Sequence, residues 1–386
     1  MDFEIRKLKA DDYDQLLDLL NTTFTKASNR PHDFLRSLPK MWIRDDVHMG
    51  YHTGAFENER LVGVVGCYPL SVKIGDTSLL FATTGNVATH PDYEGRGIFN
   101  ALFSKVMEEL DSMEADAARL TGARQRYGRF GYEPAGISYE VVINANNRIK
   151  YFNDAGADVD FVEIKREDAD VLAFCDYLSR KAEFFVERSS EENFRDIYLG
   201  LCCKSATPYV ALKKGIPIGY LAVAGNNSIL ELRYISLDYF IPIVCAWQRR
   251  INAAVKFKLA PHMHGELRLI SPAAEAISVS SPSHFKIMSY DRIANALIKL
   301  KKANEPLPCG ELVIGIEGYG CISLYVTNSR AGCTRTDKEP DITINRATAT
   351  RLLFGHLPPS AVIPITNPLI SSWLPLPFSW NTLDYV

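Results

Sequence analysis

The 386-residue sequence has no uninterrupted apolar run near the ~18 residues that a membrane-crossing helix requires. It opens Met1-Asp2-Phe3-Glu4-Ile5-Arg6, without the apolar core of a secretory signal. Eight cysteines (Cys67, Cys175, Cys202, Cys203, Cys245, Cys309, Cys321 and Cys333) are scattered, with no CxxC pair. A disulfide framework is therefore not expected, and a reducing, cytoplasmic setting is. A net charge of −3, with a pI near 6.3, gives no basic footprint for nucleic acid. There is no GxxxxGK[ST] phosphate loop, no serine elbow and no paired-carboxylate pattern. His262-Met263-His264 would set two imidazoles on one side of a strand, but no further ligand stands at metal-binding spacing, so no metal is expected.

A hydrophobic fraction of 47% with 23% charged residues is that of a folded soluble protein. The length exceeds one ordinary core, so two or three domains are expected. The most informative stretch is Thr83 to Leu110, TTGNVATHPDYEGRGIFNALFSKVMEEL. A β-branched run ends at Val87-Ala88-Thr89 and reads as a strand. Pro91 stops it, because proline donates no hydrogen bond and restricts the residue before it. Gly95-Arg96-Gly97 follows, and then Phe99, Leu102, Phe103, Val106 and Leu110 recur at helical spacing. Strand, glycine turn and helix start together make an anion site, since first-turn amides and the positive end of the helix dipole point outward.

Around this stretch the pattern predicts a strand over Asp2–Leu8 and a helix capped by Asp11 or Asp12. Further strands are predicted at His48–Phe56, Leu61–Val72 and Ser78–Thr89. Downstream come a short strand at Ala117–Gly122, the run Arg124-Gln125-Arg126-Tyr127-Gly128-Arg129-Phe130-Gly131-Tyr132, and a closing strand at Ile137–Ile143. The pattern weakens over Asn144–Asp160, which marks a boundary. Beyond it LKKGIPIGYLAVAG repeats the register of FENERLVGVVGCYP, a faint internal repeat. The strand Ile229–Ile235 then runs into Leu237-Asp238-Tyr239 with no GxG. Glu305-Pro306-Leu307-Pro308 is a stiff linker to a hairpin, a third strand and a helix. The last residues, LPLPFSWNTLDYV, are far more apolar than a fraying terminus and should bury themselves.

VATHPDYEGRGI resembles motif A of the GNAT superfamily of acyl-CoA N-acyltransferases, and YGRFGY resembles a second recurring signature of that family. Two positions depart from motif A: Glu94 stands at a Gln/Arg place and Phe99 at a small-residue place. The order of motifs along the chain is similar to the Eis-like branch, with tandem GNAT units and a sterol-carrier-like domain. The resemblance implies an α+β architecture: a catalytic GNAT domain over 1–150, a degenerate GNAT-like domain over 151–302, and a sterol-carrier-like α/β domain over 303–386 whose tail reaches the active site. It implies acetyl-CoA as co-substrate, held by Val87, Ala88, Thr89, Gly95, Arg96, Gly97, Ile98, Phe99 and Asn100. It further implies Tyr127 as general acid, the α-carboxylate of Val386 as general base, a small amine or lysine-bearing acceptor, and a homo-oligomer, a hexamer in that branch. The alternatives left open are a non-enzymatic acyl-CoA or lipid sensor and a transferase of longer acyl chains.

Overall fold

The computed structural model describes residues 3–37, 41–165, 167–188, 206–225 and 227–384. The chain first builds a sheet from β1 (Glu4–Lys7), β2 (His52–Glu57), β3 (Arg60–Ile74), β4 (Thr77–Thr89), β5 (Ala117–Leu120) and β6 (Glu133–Ala135). β7 (Ser138–Ile143) leaves it for a second sheet, which β8 (Val159–Glu163) also joins. β9 (Phe184–Val186) returns to pair with β3. β10 (Ala206–Lys213), β11 (Ile216–Ala224), β12 (Ser228–Tyr234), β13 (Val255–Leu259) and β14 (Ala276–Ser280) complete the second sheet. β15 (Ser283–Ile287) then goes back to the first sheet and lies between β5 and β6. A third sheet holds β16 (Gly310–Ile316), β17 (Gly320–Val326), β18 (Ala331–Thr336) and β19 (Ile342–Ile344).

The expected closing strand over Ile137–Ile143 thus closes nothing in the first sheet. β7 pairs with β13 and β14, and β15 takes the place beside β5. Two further expectations shift. The predicted strand over His48–Phe56 starts only at His52, because Asp45 accepts the His48 amide and caps a short helix at Asp46–Met49. His262 and His264 share no strand, since β13 stops at Leu259 and His264 opens a helix running to Ile270.

The helix Ile98–Ser112 follows β4 and buries Ile98, Leu102, Phe103, Val106 and Leu110 against the first sheet. The helix Phe240–Ile251 follows β12 in the same way. In both places a parallel strand comes next, β5 beside β4 and β13 beside β12. The faint sequence repeat has a packing reason. A Cβ on Gly63 of β3 would come within 2.5 Å of Ile98, and one on Gly219 of β11 within 2.9 Å of Ile243. Each glycine lets the following helix seat its isoleucine on the strand.

The third sheet and the C-terminal segment share one core with the first sheet. Val72, Phe81, Phe285, Ile314, Trp373, Leu376 and Phe378 all belong to it. Leu374, Leu376, Phe378, Trp380 and Leu383 are buried, so the apolar tail docks as expected through the last described residues.

Candidate active site

β4 and β5 pair in parallel only from Phe81 to Thr83, opposite Ala117 to Arg119. Beyond Thr83 they diverge. β4 continues to Thr89, and Ala88 and Thr89 pair with Val64 and Gly63 of β3 on its other side. Among the described residues no strand covers the β5-facing edge of Thr84–Thr89. Such an edge presents a row of backbone donors and acceptors to whatever enters the splay. Val87, Ala88 and Thr89 lie on it.

The splay starts at a bulge. Gly85 faces Gly66 and Ala88 faces Val64, so Asn86 and Val87 together oppose Val65. Asn86 takes a φ of 50°, which asparagine tolerates better than most residues. Its Nδ2 donates to the Tyr68 hydroxyl at 2.6 Å, and that hydroxyl lies 2.8 Å from His52 Nε2. His52 Nδ1 is 3.3 Å from the Met49 carbonyl. A carbonyl only accepts, so Nδ1 carries the proton and Nε2 receives one from Tyr68. Burial drives the His52 pKa down to about 4, keeping the ring neutral as this chain of bonds requires.

At the open end of the splay, Gly95 and Gly97 have φ of 78° and 79°. Nothing lies within 4 Å of the place where either would carry a Cβ. Glycine suits both the backbone conformation and a close approach by a ligand. The helix Ile98–Ser112 begins with no side-chain cap. The first-turn amides of Ile98, Phe99 and Asn100 therefore point outward without helical partners, at the positive end of the dipole.

The two departures from the motif have visible consequences. Glu94 is exposed. Phe99 is turned toward Phe103, Tyr127 and Phe130, at 5.4, 6.0 and 6.1 Å between ring centres. The guanidinium groups of Arg126 and Arg129 lie 5.7 and 5.5 Å from the Phe99 ring, and Arg129 also donates to Asn100. These arginines bring positive charge to the helix start, opposite in sign to Glu94. Arg96 is paired with Glu57 at 3.1 Å.

Tyr127 ends a single helical turn, Arg124–Tyr127, and is buried. Its ring lies 5.4 Å from Phe103 and 6.5 Å from Tyr132. Desolvation raises its pKa, with Arg126 pulling the other way. The phenol therefore holds its proton at neutral pH and is a donor. His90 stays at the loop entrance, bonded to Arg60 at 3.0 Å, and caps the turn Pro91–Tyr93.

The tail approaches this region at its base. Trp380 stacks on Phe81 of β4 at 5.8 Å with an interplanar angle of 11°, and Arg119 of β5 lies 5.4 Å from the same ring. Tyr385 and Val386 lie outside the described residues.

The structure brings the glycine turn, the strand edge and Tyr127 of the sequence motifs into one region. His52, Tyr68, Asn86, Arg126 and Arg129 lie in the same region without having been singled out in the sequence. The only advance signal among these was Gly85-Asn86 inside a strand, a pair that suggests a bulge. Among the described residues, no group of three or more His, Cys, Asp or Glu side chains is placed to hold a metal ion.

A mixed α/β sheet with a bulged strand, a splayed parallel pair and a glycine turn at a helix start defines a GNAT acyltransferase fold. Residues 4–135 match the family model of the acetyltransferase (GNAT) domain, so the protein carries a GNAT acetyltransferase domain and is an enzyme of that type. No curated protein matches the sequence. Among solved structures, a GCN5-related N-acetyltransferase from Kribbella flavida aligns over 100% of both chains, with a TM-score of 0.67 and 16% identity. One from Anabaena variabilis also aligns over 100% of both, at a TM-score of 0.66 and 16% identity. Eis1 from Mycobacterium abscessus aligns over 98% of each chain, at a TM-score of 0.65 and 15% identity. At such identities the likeness is one of fold.

Proposed function

We propose that the protein is an acetyl-CoA-dependent N-acetyltransferase that moves the acetyl group directly from the thioester to a primary amine. The observation that carries this reading is the uncovered edge of Thr84–Thr89 between the glycine turn and the buried Tyr127. The pantetheine arm lies along Val87–Thr89, and the pyrophosphate rests on the turn Gly95-Arg96-Gly97 and the amides of Ile98, Phe99 and Asn100. Tyr127 gives its proton to the departing thiolate. The amine is deprotonated by the α-carboxylate of Val386. An ordinary α-carboxyl titrates near ~3.5, and an apolar surrounding would raise it toward a useful base strength. Trp380 at the base of the splay supports a tail that ends near the reacting atoms.

The same reading makes the whole chain Eis-like: a second GNAT-like unit without a phosphate loop, then a sterol-carrier-like unit that delivers the tail. The turn after β12, Ser236 to Tyr239, supports a second unit that binds no CoA, because it has no glycine and sets Asp238 at the helix approach. The protein acts in the cytoplasm on a small amine or a lysine-bearing acceptor, as a hexamer.

The test is a thiol-release assay over a panel of aminoglycosides, polyamines and lysine peptides, alongside calorimetry with acetyl-CoA. Release with at least one amine supports transfer. Tight acetyl-CoA binding with release on none would replace it by a sensor, and a preference for longer acyl-CoA would change the donor.

A further inference from the structure

A second cavity lies in the second sheet, away from the glycine turn. β12 and β13 pair in parallel only through Ser228 and Ile229, opposite Lys256 and Phe257. Beyond that point they separate, and a cavity of about 430 Å³ opens between them. None of Gly95, Gly97 and Tyr127 is among its lining residues, whereas Arg233, His262, Glu266, Trp380 and Asp384 are. Its size falls in the range of sites for small organic ligands, roughly 300–1,000 Å³.

Three lining residues carry buried polar atoms with no hydrogen-bond partner: Arg233 Nε, His262 Nδ1 and Trp380 Nε1. Buried polar groups are rarely left so unless a ligand or water completes them. Arginine Nε and indole Nε1 only donate. The His262 residue is nine-tenths buried, and burial, Arg233 and His264 together bring its pKa down to about 4. It is therefore neutral, with an Nδ1 able to donate in one tautomer.

The acids around the cavity are already satisfied. Glu231 accepts from Arg188, Tyr220 and Asn381. Asp384 accepts from Arg188, Glu266 from Tyr234, and Glu183 from Asn304. Arg233 reaches Glu231 only at 4.0 Å. What the cavity lacks is an acceptor, and its charged donor calls for an anionic one. Lys181 and Lys258 also line the cleft, and its apolar wall is formed by Phe184, Leu230, Tyr234, Phe257, Leu259 and Trp380.

We infer that the cleft between β12 and β13 binds a small apolar carboxylate. The carboxylate meets Arg233 and His262, and the body of the molecule lies on the aromatic and aliphatic wall. A CoA ester is the wrong occupant, since the approach to the helix Phe240–Ile251 carries Asp238 where a pyrophosphate would need positive charge. Arg233 and His262 belong neither to the glycine turn nor to Tyr127, while Trp380 and Asp384 of the tail also line the cleft.

Calorimetric titration of the full chain with octanoate tests it, with octanol and octylamine as matched probes. The expected result is one octanoate site, binding at least tenfold tighter than either analogue and unaffected by saturating CoA. Arg233→Gln should weaken it tenfold or more. Ala260→Phe, which puts bulk into the lining without touching a charge, should do the same, and it decides the matter if Arg233→Gln melts early. Absence of octanoate binding, displacement by CoA, a preference for octylamine, or unchanged affinity in a folded variant would each overturn the proposal.

Discussion

Arg188 Nη2 donates to Asp384 Oδ1 at 2.8 Å, joining residues 196 positions apart in the interior. The same guanidinium spans the Glu231 carboxylate at 3.3 and 3.4 Å, and Tyr220 donates to Glu231 at 2.5 Å. Arg188, Glu231 and Asp384 are all buried, so the bonds must offset the cost of taking three charges from water. The network clamps the tail two residues before Val386.

Arg188→Ala should therefore cost more than an ordinary substitution. It leaves Asp384 buried without the Arg188 cation and Glu231 with Arg233 only at 4.0 Å, a loss of about 3–5 kcal/mol for a broken buried pair. Thermal melting should show it. Asp384→Asn removes one charge while keeping an acceptor, and should be milder. If the tail carries the base, Asp384→Asn will lower kcat with little change in the KM for acetyl-CoA. An unchanged kcat in a folded Asp384→Asn protein would detach the clamp from catalysis.

Tyr127→Phe should lower kcat by about 10²–10⁴, the usual share of a general acid, while calorimetry shows acetyl-CoA binding nearly unchanged. The pH profile adds a sharper check. Burial raises the Tyr127 pKa above its ordinary value of 10.0, so the acid stays protonated across the working range. Loss of this proton cannot produce a basic limb in kcat below about pH 10. A limb near pH 8 that disappears in Tyr127→Phe would contradict this assignment.

The glycine turn and the helix start are legible in the sequence because their signals are local. Gly95, Gly97 and the apolar positions of the helix from Ile98 follow one another within a few residues, and each demands its own backbone geometry. The sheets were less legible. Whether Ser138–Ile143 pairs with β5 or with β13 depends on strands far away in sequence, and β7 and β15 exchange sheets for reasons no local pattern records. β14 is exposed along its whole length, so it shows no burial alternation to read. His52, Tyr68 and Asn86 were missed because a polar side chain in an apolar strand looks the same whether it faces water or a partner across the sheet.

Arg126 and Arg129 invite a test of how the departures in the motif are balanced. Both lie over Phe99 at the helix start, and Glu94 of the preceding loop is exposed. Arg129→Ala should raise the KM for acetyl-CoA about tenfold, the loss of one charge-assisted contact to phosphate. Glu94→Gln should lower it, by less, since Glu94 is exposed and screened. A salt titration checks the cause: if the contacts are electrostatic, the two variants should converge as ionic strength rises.

Acid stability tests the hydrogen-bond chain under the bulge. His52 and His262 are both buried with pKa values near 4, against an ordinary 6.5. The unfolded chain thus takes up protons that the folded chain refuses between about pH 6.5 and 4, and stability falls as pH drops through that window. Each histidine contributes on the order of 3 kcal/mol to the decline. Glu231 acts lower, because Arg188 and Arg233 outweigh its desolvation and hold it near 2. Its contribution is present above its ordinary 4.5 and is lost as pH falls toward 2. His52→Gln cannot take up a proton, so this variant should lose part of the slope between pH 6.5 and 4 while keeping the slope below it. Denaturant melts at half-unit pH steps measure both windows. A His52→Gln protein with the full wild-type slope above pH 4 would mean that His52 titrates freely, and that the bonds from Asn86 through Tyr68 to Met49 do not hold it neutral.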